Sequence, residues 1–154
     1  LAEPVEADLA AVPPRLFTEE EASRLVPTLE TIFLSLDPLL SRLRELRELV
    51  EDHEAYWGTH VEGPGHPERE AYLRTLAEMA SVRADVDARV QRIRDSGAEP
   101  KDLDLGLVDF YATVRGRIAF LCWRRGEPKV AHWHSLEAGF AGRKPLADVR
   151  SSEP

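Results

Sequence analysis

Residues 107–123 read LVDFYATVRGRIAFLCW. Two runs rich in β-branched and aromatic residues flank Arg115-Gly116, a pair suited to a tight two-residue hairpin turn. With that turn, Val114 pairs with Arg117, and every other partner follows by counting outward. One face then carries Val108, Phe110, Ala112, Ala119, Leu121 and Trp123, an apolar surface fit for a core. The other face places Asp109 opposite Cys122 and Tyr111 opposite Phe120. A one-residue slip would exchange the faces, and the clean segregation selects this register. Beyond the turn-forming RRGEP, residues 129–135 (KVAHWHS) read as a third strand. Pairing Cys122 with Val130 would add His132 and His134 to the polar face and Trp133 to the core face. The last third is therefore expected to be a three-stranded antiparallel meander, with all strands inside residues 105–135.

Upstream, the hydrophobic period changes from two to seven. Leu25, Leu29, Ile32, Leu36, Leu39, Leu43, Leu46 and Val50 alternate steps of four and three, the seam of a helix packed on a helix. Thr18 and Glu21 form a capping-box pair at its start. Pro27 and Pro38 interrupt the pattern, so a kink, or a separate first turn ending near Pro27, is expected. Gly and Pro cluster between Gly58 and Pro67, after which Tyr72, Leu76, Met79, Val86, Val90 and Ile93 continue at heptad positions until Gly97. The prediction is an α+β fold: a long antiparallel helical hairpin, helices about 18–56 and 67–96, packed with the small meander. The domain would span 16–146, between a flexible acidic arm (1–15) and a flexible tail (147–154).

Composition narrows the function classes. The 154 residues carry a net charge of −8 and a mean hydropathy of −0.35. No stretch approaches the roughly 18 consecutive apolar residues of a membrane helix. The first residues lack a secretory pattern, and one cysteine suits a reducing compartment, so a cytoplasmic location is expected. Residues 1–98 hold 20 acids and 11 bases, whereas 99–150 hold 7 acids and 9 bases. This acidity disfavours nucleic acid; RNA contact through Arg115, Arg117, Arg124 and Arg125, with Trp123 or Trp133 stacking on bases, is the weaker alternative.

Phosphate-binding, dinucleotide and paired-cysteine motifs are absent, so no cofactor is predicted; a metal ion is the one cofactor the residues suggest. Asp109, Cys122, His132 and His134 supply donors suited to zinc or iron. Cys122 could also be a nucleophile if a histidine lowered its pKa, and equally a small buried hydrophobe. His53, His60 and His66 sit in a Gly/Pro-rich loop with irregular spacing and read as solvated. Glu127 lies in a turn; Arg143 either pairs with it or joins Arg124 or Arg125 as an anion site. Tyr56 and Trp57 end the first helix as a partner contact or as a cap on the hairpin.

Four segments carry a family resemblance: LFTEEEASRLVPTL (16–29), KDLDLGLVDFYA (101–112), FLCWRRGEP (120–128) and AHWHSLEAGFAGRKPL (131–146). In this order they resemble the bacterial family called domain of unknown function 2203. The resemblance implies a small cytoplasmic bacterial protein and no particular activity. It includes His134 but not His132 among its signature positions, and so points to Asp109, Cys122, Glu127, His134 and Arg143 as the functional cluster. The expected function is a non-enzymatic binding or assembly module, a homodimer through the long seam, with no membrane partner. The alternative is a small enzyme or a metal- or ligand-binding protein built on Asp109, Cys122, Glu127 and His134, which requires those side chains to converge on a pocket.

Overall fold

The computed structural model describes residues 14–150; the rest of the expected arm (1–13) and tail (151–154) lies outside the described residues. Contacts divide the chain into two compact units, residues 31–92 and the residues flanking them on both sides.

In the flanking unit, Thr18 caps helix α1 (Glu19–Arg24) through the expected box: its hydroxyl accepts from the Glu21 N–H at 3.1 Å, and Glu21 Oε1 accepts from the Thr18 N–H at 3.1 Å. These bonds hold the Glu21 carboxyl below the usual carboxylate range. A new helix, α2 (Val26–Trp57), begins at once, with Pro27 in its first turn, where the missing donor costs nothing. The expected separate turn before Pro27 is therefore present, while Pro38 lies inside α2 without ending it.

Residues 31–92 form the helical hairpin. Helix α3 (Arg69–Asp95) returns antiparallel to α2. Arg89 Nε donates to Ser35 Oγ at 3.1 Å, Arg42 donates to both oxygens of Glu78 at 2.9 Å, and the Tyr72 hydroxyl donates to Glu54 at 2.8 Å. Of the seam residues, Leu29, Ile32, Leu36, Leu43, Leu46 and Val50 are buried, and Leu25 and Leu39 half-buried. Val50, Val61 and Tyr72 close the loop end, with Trp57, Leu76 and Met79 packed on them.

The sheet has five strands where the sequence suggests three. They run in chain order as an antiparallel meander: β1 (Glu99–Asp102), β2 (Leu107–Val114), β3 (Arg117–Arg124), β4 (His132–His134) and β5 (Lys144–Pro145). The additional strands are the two edges, EPKD and KP. They are short, polar and proline-bearing, the composition edge strands tolerate, and so they show no alternating pattern. Arg115 and Gly116 both have positive φ, 52° and 76°, as a type I′ turn requires. The β2–β3 register is the expected one, from Leu107↔Arg124 to Val114↔Arg117.

The β3–β4 register differs. Cys122 pairs with His132, not Val130, and Phe120 pairs with His134. The cause is the loop before β4. The Val130 N–H donates to Ser23 Oγ at 3.1 Å, the Gly126 N–H to Glu30 Oε1 at 2.9 Å, and Val130 itself is buried off the ladder. The shift is two residues, a full strand period, so both histidines keep the polar face. Residues 146–150, split in the sequence reading between domain and tail, form a short helix α4 (Leu146–Arg150) with Leu146 and Val149 buried.

On the core face, Phe110 is fully buried and meets the Phe17 ring edge-on at 5.1 Å. The Phe17 N–H donates to the Tyr111 carbonyl at 2.7 Å, just past the end of the β1–β2 pairing. Phe110→Ala should therefore cost about 3–5 kcal/mol, measured by urea unfolding; a loss below 1 kcal/mol would mean that the face is not close-packed.

Candidate functional site: a buried Asp–Cys–His cluster under a small cavity

The polar face of β2, β3 and β4 brings three donor side chains together. Asp109 comes from β2, Cys122 sits directly opposite on β3, and His134 reaches over β3 from β4. His134 Nε2 lies 3.0 Å from Asp109 Oδ2, and one donor atom from each of the three residues falls within 4.8 Å of the others. Asp109, Cys122 and His134 are 3%, 1% and 3% exposed. Among the described residues, the buried Asp109 and His134 demand an explanation, because charged and imidazole groups leave water only when partnered.

The hydrogen bonds define the protonation of the pair. His134 Nδ1 lies 2.7 Å from the Ser135 carbonyl, which can only accept, so Nδ1 carries a hydrogen. The 3.0 Å contact on the opposite nitrogen then holds a second hydrogen, bonded to Nε2 or to Oδ2. In either form the Asp109–His134 pair is neutral overall, which is how it tolerates burial.

Cys122 is not activated. Burial pushes its thiol up to about 12, and the Asp109 carboxylate beside it adds to the shift. Arg143 acts in the opposite sense without overcoming burial. Both His134 nitrogens are already bonded, so His134 offers the sulfur no free base, which weighs against the nucleophile reading.

Glu127 and Arg143 form a second, adjoining arrangement. Arg143 Nη2 donates to both Glu127 oxygens, at 2.9 and 2.7 Å, and Glu127 Oε1 also accepts from the Arg124 N–H at 2.6 Å. The Glu127 carbonyl accepts from Trp123 Nε1 at 2.9 Å, and the guanidinium lies 5.0 Å from the Phe140 ring centre. The pairing reading of Arg143 is thus the observed one. His132 turns toward this side. Its Nδ1 lies 3.4 Å from Glu127 Oε2, without hydrogen-bond alignment, and the residue is not part of the three-donor cluster. Of the four candidate donors that the sequence offers, the structure brings three together: His132 and His134 share a face, yet only His134 reaches Asp109.

A cavity of about 180 Å³ opens over the cluster, lined by Asp109, Cys122 and His134 together with Lys101, Phe120 and Phe140. Lys101 Nζ sits 4.5 Å over the Phe120 ring. Lys101 and Phe140 were not singled out as site residues from sequence, though both fall in the matched segments, which was the available signal. Two clefts of about 390 Å³ each lie elsewhere in this unit and include none of the three donors. Trp123 is fully buried and offers no face to a nucleic acid base.

Residues 15–146 match the model of an uncharacterized conserved protein family, DUF2203. The chain belongs to this family. No curated protein and no solved structure matches it. DUF2203 membership spans both ends of the sheet, so Asp109, Cys122, Glu127, His134 and Arg143 all lie within the matched region.

The Cys122 shift has a direction in pH. The folded chain favours the neutral thiol, so this contribution is complete below the ordinary thiol value near 9 and is lost as pH rises toward 12. Relative to Cys122→Ala, wild-type stability should fall by up to about 1 kcal/mol per pH unit above pH ~9. Parallel denaturation curves for the two chains between pH 8 and 11 would show instead that the thiol titrates freely.

Proposed function

We propose that this member of DUF2203 is a small binding protein, not a catalyst, whose ligand seats in the cavity over Asp109, Cys122 and His134. The observation that carries the reading is convergence. Three chemically distinct donors from three strands meet within 4.8 Å, and all three line one concave space. Binding sites combine an apolar wall with a few convergent polar groups, and this cavity has both. Phe120 and Phe140 supply the wall here. The protonated thiol and the fully bonded imidazole favour holding a ligand over attacking one. At about 180 Å³ the space suits an ion or a molecule of a few heavy atoms, well below the roughly 300 Å³ where drug-sized pockets begin.

The direct test is amide NMR on the labelled chain with acetate, imidazole, inorganic phosphate and divalent cations as separate probes. At least one probe should shift the amides of Lys101, Phe120, Cys122 and His134 together. Shifts confined to other surfaces, or none with any probe, would overturn the proposal.

A second reading, homodimerisation, has its own support. The heptad seam is largely buried within one chain, but α2 also presents Leu34 (64% exposed), Leu49 (44%) and Tyr56 (78%) to solvent. Apolar groups of this size repeated along one helix suit a contact with a second copy. Light scattering coupled to size exclusion should give a mass of two chains; a one-chain mass at micromolar concentration would exclude this reading.

A further inference from the structure

We infer that the ligand of this site is a divalent transition metal ion of the zinc class, held by Asp109, Cys122 and His134 with one coordination position left open to the cavity. The inference rests on the binding-site reading above and specifies its ligand.

The donor set is the first argument. One carboxylate oxygen, one sulfur and one imidazole nitrogen form a mixed, borderline-soft set that suits zinc or ferrous iron and not magnesium or calcium, which take oxygen ligands. Geometry is the second. Zinc bonds of about 2.0–2.3 Å in a tetrahedron put ligand atoms roughly 3.3–3.8 Å apart. The three donors already lie within 4.8 Å, and Nε2 and Oδ2 stand at 3.0 Å, so seating an ion needs adjustments of about 1 Å.

Orientation is the third argument. Metal-binding histidines commonly donate their second ring N–H to a backbone carbonyl, which fixes the tautomer and aims the other nitrogen at the ion. His134 does this through Nδ1 and Ser135, leaving Nε2 aimed into the cluster. Charge is the fourth. Without metal the cluster is neutral and holds two exchangeable hydrogens, one on Cys122 sulfur and one between Nε2 and Oδ2. A dication that displaces both meets a thiolate, a carboxylate and a neutral imidazole. The filled site is again neutral, two protons leave to solvent, and no uncompensated charge is buried at any stage. Finally, three protein ligands leave a tetrahedral ion one position short, and all three residues line the cavity. That leaves the ion open to a small ligand from the cavity, unlike a closed four-ligand structural site.

Cobalt(II) is the probe of choice, because thiolate bound to cobalt gives a near-ultraviolet charge-transfer band. Cys122 is the only cysteine in the sequence, so such a band reports this site without any variant. The full chain, stripped with chelator, should bind one cobalt per chain with that band, and zinc should displace it. Asp109→Asn and Cys122→Ser should each weaken uptake by at least about tenfold, since even outer-shell losses cost that much. His132→Ala should leave it unchanged. No band at saturating cobalt would overturn the inference, as would uptake equal in wild type and Asp109→Asn, which would put the metal on the loop histidines. If cobalt fails while acetate, imidazole or phosphate shifts the cavity amides, the metal assignment alone falls. If no probe acts, the binding-site reading falls with it.

Discussion

The hydrogen bond from His134 to Asp109 spans three strands. Neighbouring strands lie about 4.8 Å apart, so a bond between the first and third must cross nearly 10 Å of sheet with side chains alone. It closes at 3.0 Å because the imidazole, from a position opposite Phe120, and the carboxylate, from a position opposite Cys122, reach toward each other across β3. The acid and the histidine therefore depend on each other, with the Cys122 sulfur within 4.8 Å of both. Removing Asp109 or His134 leaves the other a buried polar group with a missing partner.

The same bond helps to hold β4 in place. Three residues of ladder are a weak anchor for a strand. What fixes β4 is the side-chain tie to β2, the β5 pairing beyond it, and the loop before it, whose N–H groups end on Ser23 and Glu30. Those two residues belong to α1 and the start of α2. Helix side chains thus set the length of the β3–β4 connection, and through it the choice of which histidine meets Asp109. Arg143 closes the far side by gripping Glu127 with one nitrogen, while its Nε is buried without a hydrogen-bond partner.

How much of this could be read in the sequence follows the range of the interactions. The β2–β3 register was legible because a two-residue turn leaves no freedom: Arg115-Gly116 dictates every pair out to Arg124. The capping box at Thr18 and the helix restart near Pro27 are equally local. The two edge strands were not legible, since EPKD and KP are held by backbone bonds to neighbours and carry no hydrophobic alternation. The Val130 register failed because a side chain more than a hundred residues away, Ser23, takes its N–H. Yet the face assignment survived, because the error was a whole period. For the site, the residue types at Asp109, Cys122 and His134 were visible. Their separation from His132, and the walls formed by Lys101 and Phe140, depend on how the segment after His134 folds back, which no local pattern encodes.

The three tryptophans give the molecule an optical signature that follows from where they sit. Trp123 is wholly shielded and its indole N–H is bonded to a backbone carbonyl, so its emission belongs at the short-wavelength end. Trp133 is half-covered, with an indole nitrogen that is buried but has no hydrogen-bond partner. Both lie on strands of the cluster itself, beside Cys122 and His134 in the chain. Trp57 instead stacks edge-on between Tyr56 and His66 at the end of the long helix, in the helical unit. Each compact unit thus carries its own chromophore, and the one wholly shielded indole, Trp123, belongs to the sheet.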